Sequence, residues 1–398
     1  MKALLLEKAH NVAKTLLEDA EFKVVENASS ETGDSLAQKL VGIDVLGIRS
    51  KSLVTKEVIK SSAQLSAIGA YCIGTNQIDL EQATKSGIAV FNAPFSNTRS
   101  VAELVISEII ALSRGLFTKA FQMHQGVWNK SSNGCYEVRG KKLGIVGYGH
   151  IGSQLGILAE SLGLKVHYFD IQKKLPLGNA VSESTLKKLL SVSDFISLHV
   201  PLTDQTQNMM GEKEMEYMKP GSFLINASRG TVVDLQALKK FLKSSQIAGA
   251  ALDVFPKEPK ENLDEFSSPL QKMENVILTP HIGGSTEEAQ EAIGIEVSES
   301  LIKFIKTGDS SGAVNFPHLH LRNVQGGFRI LNVHKNVPGV LSAINKIISE
   351  YNVNISSQQL STNSHIGYLA MDLEKKPKAE VIEKIQALET SIKTRLIY

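Results

Sequence analysis

The chain has 398 residues, 42% of them hydrophobic and 21% charged, and its 43 Lys+Arg against 41 Asp+Glu leave a formal net charge of +2. That length is too great for one typical core and calls for two or three domains. The small charge excess argues against a nucleic-acid partner but allows a local basic pocket for an anion.

Cys72 and Cys135, the two cysteines, make neither a disulfide framework nor a metal-ligand spacing, and no metal is expected. In the opening MKALLLEKAH, Glu7 and Lys8 break the apolar run before it reaches signal-peptide length. No stretch approaches the roughly 20 apolar residues of a membrane span. A cytoplasmic protein is expected.

Residues 1–96 read as a first α/β unit. Apolar runs at Leu4–Leu6, Phe22–Val25, Val45–Ile48, Leu65–Ile68 and Ala89–Phe91 alternate with helix-length segments, which predicts a parallel sheet covered by helices. Arg49, Ser50 and Lys51 follow the third run, at a strand end where open sheets place ligand groups. Two cations beside a hydroxyl suit a phosphate or a carboxylate, or equally a solvated surface. From Asn97 or Thr98 a long helix is predicted, with Val101, Leu104, Val105, Ile109 and Leu112 at helical spacing and Glu108 as the exception on that face. Residues 121–139 hold the sole tryptophan, Trp128, and show little periodicity; an exposed segment of this kind suits a subunit contact.

The stretch 143–170 organises the chain. A strand, Leu143 to Val146, turns through Gly147, Gly149 and Gly152 into a helix, and a second strand from Val166 to Phe169 stops at Asp170. In such a turn the first glycine permits the tight bend, the second lets backbone approach a pyrophosphate, and the third packs helix against strand. The helix N-terminus offers free N–H groups to phosphates. Asp170 is placed to accept hydrogen bonds from a ribose 2′-hydroxyl and would repel a 2′-phosphate, so NAD is the expected cofactor. Runs at Phe195–Val200, Phe223–Ile225, Ala248–Leu252 and Val276–Leu278 extend a doubly wound sheet. Pro201, Arg229, Asp253, Glu258 and His281 follow those strand ends and can converge on one crevice.

Hydride transfer from an alcohol needs a base for the hydroxyl proton and a cation for the substrate. Among ten histidines, His281 is the best base, at a strand end beside glycines. A carboxylate such as Glu258 beside it would favour imidazolium and fix its tautomer, and Arg229 supplies a fork for a carboxylate.

A helix from Thr286 to about Lys306, with Ile293, Val297, Leu301 and Ile305 on one stripe, is expected to return to the first unit. Asn97–Arg99 and Gly283–Ser285 then form the crossing points of a hinge. Past Gly326 and Gly327 the order strand, helix, strand, strand, helix, strand is a ferredoxin-like βαββαβ unit. The expected domains are 1–96 with 284–325, 97–283, and 326–398.

Residues 143–152, NASRGTVVD at 226–234, ALDVFPKEP at 251–259 and LTPHIGGST at 278–286 resemble the signatures of the D-specific 2-hydroxyacid dehydrogenases. AYCIGTNQIDL at 70–80, FNAPFSNTRSVAELV at 91–105 and HKNVPGVL at 334–341 narrow the resemblance to the shorter bacterial branch that acts on 3-phosphoglycerate and carries a C-terminal ACT domain. It covers essentially the whole chain.

The resemblance implies an α/β enzyme with a Rossmann NAD-binding domain, a discontinuous flavodoxin-like substrate domain and an ACT domain. It implies that His281 is the acid/base, Glu258 its orienting partner and Arg229 the carboxylate anchor. NAD would meet Gly147, Gly149, His150, Ile151, Gly152, Asp170, Ala227, Ser228, Asp253, Gly283 and Gly284. The phosphate would meet Arg49, Ser50 and Lys51, joined by Lys130 from a neighbouring subunit, with Ile73, Gly74 and Asn97 helping to hold the substrate. His334, Asn336 and, from a facing copy, Asn354 would bind L-serine as a feedback inhibitor. A homotetramer and a side reduction of 2-oxoglutarate are further implications.

Three positions depart from the related pattern. Lys51 stands in place of an arginine, Lys335 of an acidic residue and Phe328 of an arginine; Lys51 offers a point charge rather than a fork. A glyoxylate or hydroxypyruvate reductase would share the catalytic trio without needing the Arg49–Lys51 cations or the tail. An NAD-sensing corepressor of the same fold would need no complete trio.

Overall fold

The computed structural model describes residues 1–259, 264–323 and 327–398; Gly326, an expected boundary, lies outside them. Two compact units are present, one of residues Met1–Ser96 with Gln290–Tyr398 and one of Asn97–Ala289.

The first unit holds a sheet of β1 (Lys2–Leu6), β2 (Lys23–Asn27), β3 (Val45–Ile48), β4 (Ala67–Ala70) and β5 (Ala89–Asn92), in order β2-β1-β3-β4-β5. All pairings are parallel, which is the flavodoxin-like order. Alternation along the strands sorts the side chains into two cores. Leu4, Leu6, Leu46, Ile48, Ile68 and Val90 pack on one face. Ala3, Leu5, Val45, Ala67 and Ala89 pack on the other, under Ile293, Val297, Leu301 and Ile305 of helix Glu287–Thr307. At Gly69 a Cβ would come within 2.6 Å of Val297, so the glycine lets the helix sit close to the strand.

The second unit holds β6 (Lys142–Val146), β7 (Lys165–Phe169), β8 (Val181–Ser182), β9 (Phe195–Leu198), β10 (Ser222–Asn226), β11 (Ile247–Leu252) and β12 (Val276–Leu278). Their order is β12-β11-β10-β9-β6-β7-β8, all parallel, so the winding reverses between β6 and β9. This is the doubly wound arrangement, with its ligand crevice at the reversal. Two elements escape the sequence pattern. β8 is two exposed residues with no apolar run. Helix Leu116–His124 buries none of its residues, so its apolar Leu116, Phe117, Phe121 and Met123 carry no inward period.

The C-terminal sheet comprises β13 (Phe328–Lys335), β14 (Ile355–Thr362), β15 (Ile366–Leu373) and β16 (Ser391–Ile397), antiparallel in order β14-β15-β13-β16. With helices Val340–Glu350 and Ala379–Gln386 it is the βαββαβ ferredoxin-like ACT fold. One face of this sheet joins the first unit's core: Leu331, Val333, Ile366 and Tyr368 pack in the same cluster as Phe304 and Phe316. The Arg329 guanidinium grips Asp372 at 2.6 and 2.9 Å and donates to the carbonyls of Thr307 and Arg322. Lys393 donates to the Leu65 carbonyl at 2.5 Å.

Glu108, on helix Thr98–Arg114, is 2% exposed, and neither carboxylate oxygen has a hydrogen-bond partner among the described residues. Burial, with the charge of Asp253 adding, pushes its carboxyl up to about 8. The unfolded chain titrates at the ordinary value of 4.5, so the fold holds the proton more tightly. Stability therefore falls as pH rises from there toward 8, and the loss is complete above it. Glu108→Gln should remove that fall. Melting temperatures of parent and variant, scanned across the window, should diverge progressively in favour of the variant.

Candidate active site

Three strand-end loops of the second unit build the site. After β10, Asn226 (fully buried) accepts from the Ser228 N–H at 3.1 Å and its hydroxyl at 2.8 Å, and donates to the Arg229 carbonyl at 3.0 Å. This closed turn fixes Arg229, whose guanidinium also donates to the Ser228 carbonyl at 2.7 Å. Gly230 follows because a Cβ there would meet the Phe255 carbonyl carbon at 1.9 Å.

After β11, Asp253 is 1% exposed and engages the loop after β12 with both oxygens. It accepts from the Thr279 hydroxyl at 2.7 Å and from the N–H groups of Ile282 and Gly283 at 2.8 Å each. His281 lies between those anchor points, in the left-handed region at φ 55°. Side chains other than glycine occupy that region at a cost, met here by the clamp on either side. Gly283 and Gly284 follow, and at Gly284 a Cβ would come within 2.6 Å of the Asn97 amide nitrogen. Asn97 and Gly284 thus pack against each other at the edge of this unit.

The His281 Nδ1 meets Glu258 Oε2 at 2.8 Å, while Glu258 Oε1 accepts from the Phe255 N–H at 3.0 Å. Glu258 is thereby held from behind and the imidazole is oriented. The hydrogen bond from Glu258 raises the His281 pKa; burial opposes it, the charges of Glu258 and Asp253 add to it, and Arg229 lowers it, for a net rise. Burial works to raise Glu258, but the bonds from His281 and Phe255 and the charges of His281 and Arg229 outweigh it, leaving the carboxyl below its ordinary value. With Nδ1 committed to the carboxylate, Nε2 is the ring nitrogen that this pairing leaves uncommitted.

At the winding reversal, Gly147 has φ 91°, and a Cβ on it would strike the His199 carbonyl oxygen at 2.4 Å. Gly149 meets nothing within 4 Å, so its backbone is open to close approach by a phosphate group. At Gly152 a Cβ would lie 2.2 Å from the Gly147 carbonyl oxygen, so the helix packs on the turn. His150 and Ile151 open helix His150–Ser161. Asp170 accepts from the Tyr148 N–H at 2.9 Å and the Gln172 N–H at 2.8 Å, which holds its carboxylate beside the glycine turn. Ala227 and Ser228 belong to the Arg229 turn. This cradle fits a dinucleotide.

In the first unit, Arg49, Ser50 and Lys51 follow β3, and Ile73 and Gly74 follow β4. The buried Gln77 amide ties these two loops, donating to the Arg49 carbonyl at 2.7 Å and the Gly74 carbonyl at 3.2 Å. Asn92 donates to the Ile73 carbonyl at 2.6 Å. Lys130 belongs to the second unit and is exposed on the segment after helix Leu116–His124.

In the tail, His334 is 3% exposed, its Nδ1 lies 3.0 Å from Asn332 Oδ1, and Gly367 leaves room for its Nε2, which a Cβ would approach to 2.2 Å. Asn332 in turn donates to the Ser391 and Thr394 hydroxyls. Asn336 donates to the Asn363 carbonyl at 2.8 Å. Asn354 is not with them. His334 pairs with Gly367 at one end of β15, whereas Ile355 pairs with Leu373 at the other. Eight-residue strands put those ends about 20 Å apart.

Sequence reasoning missed Asn226, Thr279, Gln77 and Asn332, which act through other residues. Gln77, Asn226 and Thr279 sit inside the quoted motifs, and for the last two an apolar strand closing on a polar residue was the available signal.

Comparison with known proteins agrees with this geometry. Residues 106–283 match the model of the D-isomer specific 2-hydroxyacid dehydrogenase, NAD binding domain, and residues 330–393 that of an AHAS small subunit-like ACT domain. The chain is 50% identical over 398 residues to a D-3-phosphoglycerate dehydrogenase of Dictyostelium discoideum, covering all of this chain and 97% of that one. It is 51% identical over 401 residues to the D-3-phosphoglycerate dehydrogenase of Escherichia coli K12, covering all of this chain and 98% of the relative. Among solved structures, a D-lactate dehydrogenase from Aquifex aeolicus complexed with NAD and lactic acid superposes with a TM-score of 0.70 at 28% identity, over 79% of this chain and 99% of that one.

The His281 imidazole should titrate above the usual histidine range in NMR of histidine-labelled protein. Glu258→Gln should bring it down. An imidazole titrating at the same pH with and without the carboxylate would contradict the pairing.

Proposed function

The chain belongs to the D-3-phosphoglycerate dehydrogenase family of NAD-dependent D-2-hydroxyacid dehydrogenases, and we propose that it oxidises 3-phospho-D-glycerate to 3-phosphohydroxypyruvate, the first step of L-serine synthesis. The observation that carries this reading is the His281–Glu258 pair at 2.8 Å in a loop clamped by Asp253, in a unit that also carries Arg229. When bound, NAD supplies the hydride acceptor. Arg229 holds the substrate carboxylate with its planar fork and polarises the forming carbonyl. His281 takes the hydroxyl proton at Nε2, and the resulting imidazolium is stabilised by Glu258 at Nδ1. Asp170 selects the ribose 2′-hydroxyl. His150, Ile151, Ala227, Ser228, Asp253, Gly283 and Gly284 line the cofactor, with the three glycines of the turn beneath its phosphates.

The substrate phosphate is held by Arg49, Ser50 and Lys51, with Lys130 from a neighbouring subunit, and Ile73, Gly74 and Asn97 hold the rest. Residues 1–96 with 284–325 serve the substrate, 97–283 the nucleotide and 326–398 regulation. The enzyme works as a cytoplasmic homotetramer and also reduces 2-oxoglutarate. Among the described residues no helix is long and apolar enough to cross a membrane.

L-Serine is the effector. Support comes from the buried His334: Asn332 presents a carbonyl oxygen to Nδ1, leaving Nε2 as an acceptor beside Gly367. The separation of Asn354 from His334 and Asn336 within one chain suits a site that two tails complete together.

Oxidation needs neutral His281, and Glu258 favours the imidazolium. The rate of 3-phosphoglycerate oxidation should therefore rise with pH through a value above 6.5, and reduction should fall over the same range. His281→Ala should abolish turnover of 3-phosphohydroxypyruvate with NADH while leaving NADH binding intact by fluorescence; unchanged turnover would sink the assignment. Added L-serine should inhibit the parent enzyme. Asn336→Ala should raise the half-inhibiting concentration at least tenfold without changing uninhibited activity, and equal sensitivity would remove serine from this site.

A further inference from the structure

The side chain of Glu7, which ends the first apolar run, turns into the loop that follows β3. Its Oε1 accepts from the Ser52 N–H at 2.8 Å and the Arg49 N–H at 3.2 Å, and its Oε2 accepts from the Lys51 N–H at 2.9 Å. Glu7 is 9% exposed and adopts φ 60°, with Lys8 beside it at 52°. Side chains other than glycine occupy the left-handed region at a cost, and two such residues in succession, Glu7 and Lys8, ask for a compensating interaction. Three convergent N–H groups donating to one carboxylate supply it.

Converging N–H groups at a strand end form a concavity that binds anions by itself. Here the chain's own carboxylate fills it, so an incoming anion meets the side chains of Arg49, Ser50 and Lys51 rather than the backbone. The loop is braced from two further sides. Gln77 holds the Arg49 carbonyl at 2.7 Å, and the Arg49 guanidinium donates to the Gln290 side chain at 2.8 Å.

We propose that Glu7 is the positioning residue of the phosphate site, fixing the backbone from which Arg49 and Lys51 reach the substrate and so setting discrimination for the phosphorylated acid. This rests on the reading that Arg49–Lys51 receive the phosphate. The Glu7 carboxylate is spent on backbone N–H groups of the first unit, so its effect falls on substrate affinity and leaves the chemical step alone. Lys51 depends on it most, because a flexible point charge has no fork geometry of its own to orient it.

The test compares 3-phosphohydroxypyruvate with hydroxypyruvate, its dephosphorylated analogue, at saturating NADH, in the parent, Glu7→Asp and Glu7→Gln. Glu7→Asp keeps the charge and shortens the reach. It should raise KM for the phosphorylated substrate about tenfold, with kcat within twofold and with kcat/KM for hydroxypyruvate unchanged. In Glu7→Gln, loss of the negative charge would by itself tighten a phosphate, so a raised KM there reports displaced cations, and a lowered KM overturns the proposal. Equal losses on both substrates would make Glu7 a general structural residue and overturn it too.

A parent that does not prefer the phosphorylated substrate overturns the phosphate reading itself, and the proposal with it. Should neither variant be soluble, amide exchange in the parent decides. Slow exchange at Lys51 and Ser52 is expected, and exchange at the rate of an open loop overturns the carboxylate contact.

Discussion

The geometry of the candidate site depends on one buried carboxylate, that of Asp253. Both of its oxygens engage the loop after β12, where three hydrogen bonds satisfy a group that is costly to bury unpartnered. Without that clamp His281 would have no reason to remain in a left-handed conformation, and Glu258 would have nothing fixed to point at. The sheet supplies the platform: parallel pairing of β10, β11 and β12 brings Arg229, Asp253 and the His281 loop to the same edge. Fold and reactivity meet in that register.

The same device recurs. Asn226 closes the Arg229 turn, Gln77 ties two loops of the first unit, and Asn332 fixes the ring of His334. In each case a buried polar residue has its hydrogen-bonding capacity taken up by backbone groups or by neighbouring side chains. Such groups are costly when unpartnered and rigid when satisfied. Glu108 is the contrast, a buried carboxylic acid without partners among the described residues, which the fold keeps by holding its proton.

Much of this was legible in the sequence, for reasons that can be named. Strands buried on both faces are continuous apolar runs, so β3, β6, β9 and β11 stand out, and the glycine turn with its terminal Asp170 is an ordered pattern. Arg229, Glu258 and His281 stand out in the sequence because each follows a strand, and the structure pairs His281 with Glu258. Helix Leu116–His124 was not, because a helix that buries none of its own residues has no inward period to display. Glu7 was seen only as the charge that interrupts MKALLLEKAH. Its partners lie more than 40 residues away, beyond anything local spacing encodes. That Asn354 lies at the far end of the tail's sheet from His334 follows from strand register, which a string of residues does not reveal.

The tail shares its core with the first sheet: Tyr368 and Leu331 pack with Phe304 and Phe316, and the Tyr368 hydroxyl donates to the Gly308 carbonyl at 2.7 Å. This bears on modularity. A regulatory cassette that could be inherited, lost or grafted independently would present a polar surface where it joins its host. Here excision would strip aromatic residues on both sides and leave the Arg329 and Arg395 guanidinium groups without the main-chain carbonyls they now reach. Selection acting on one part is therefore felt by the other, and a chimera built by exchanging tails would need to carry Phe304, Phe316 and their surroundings across with the tail.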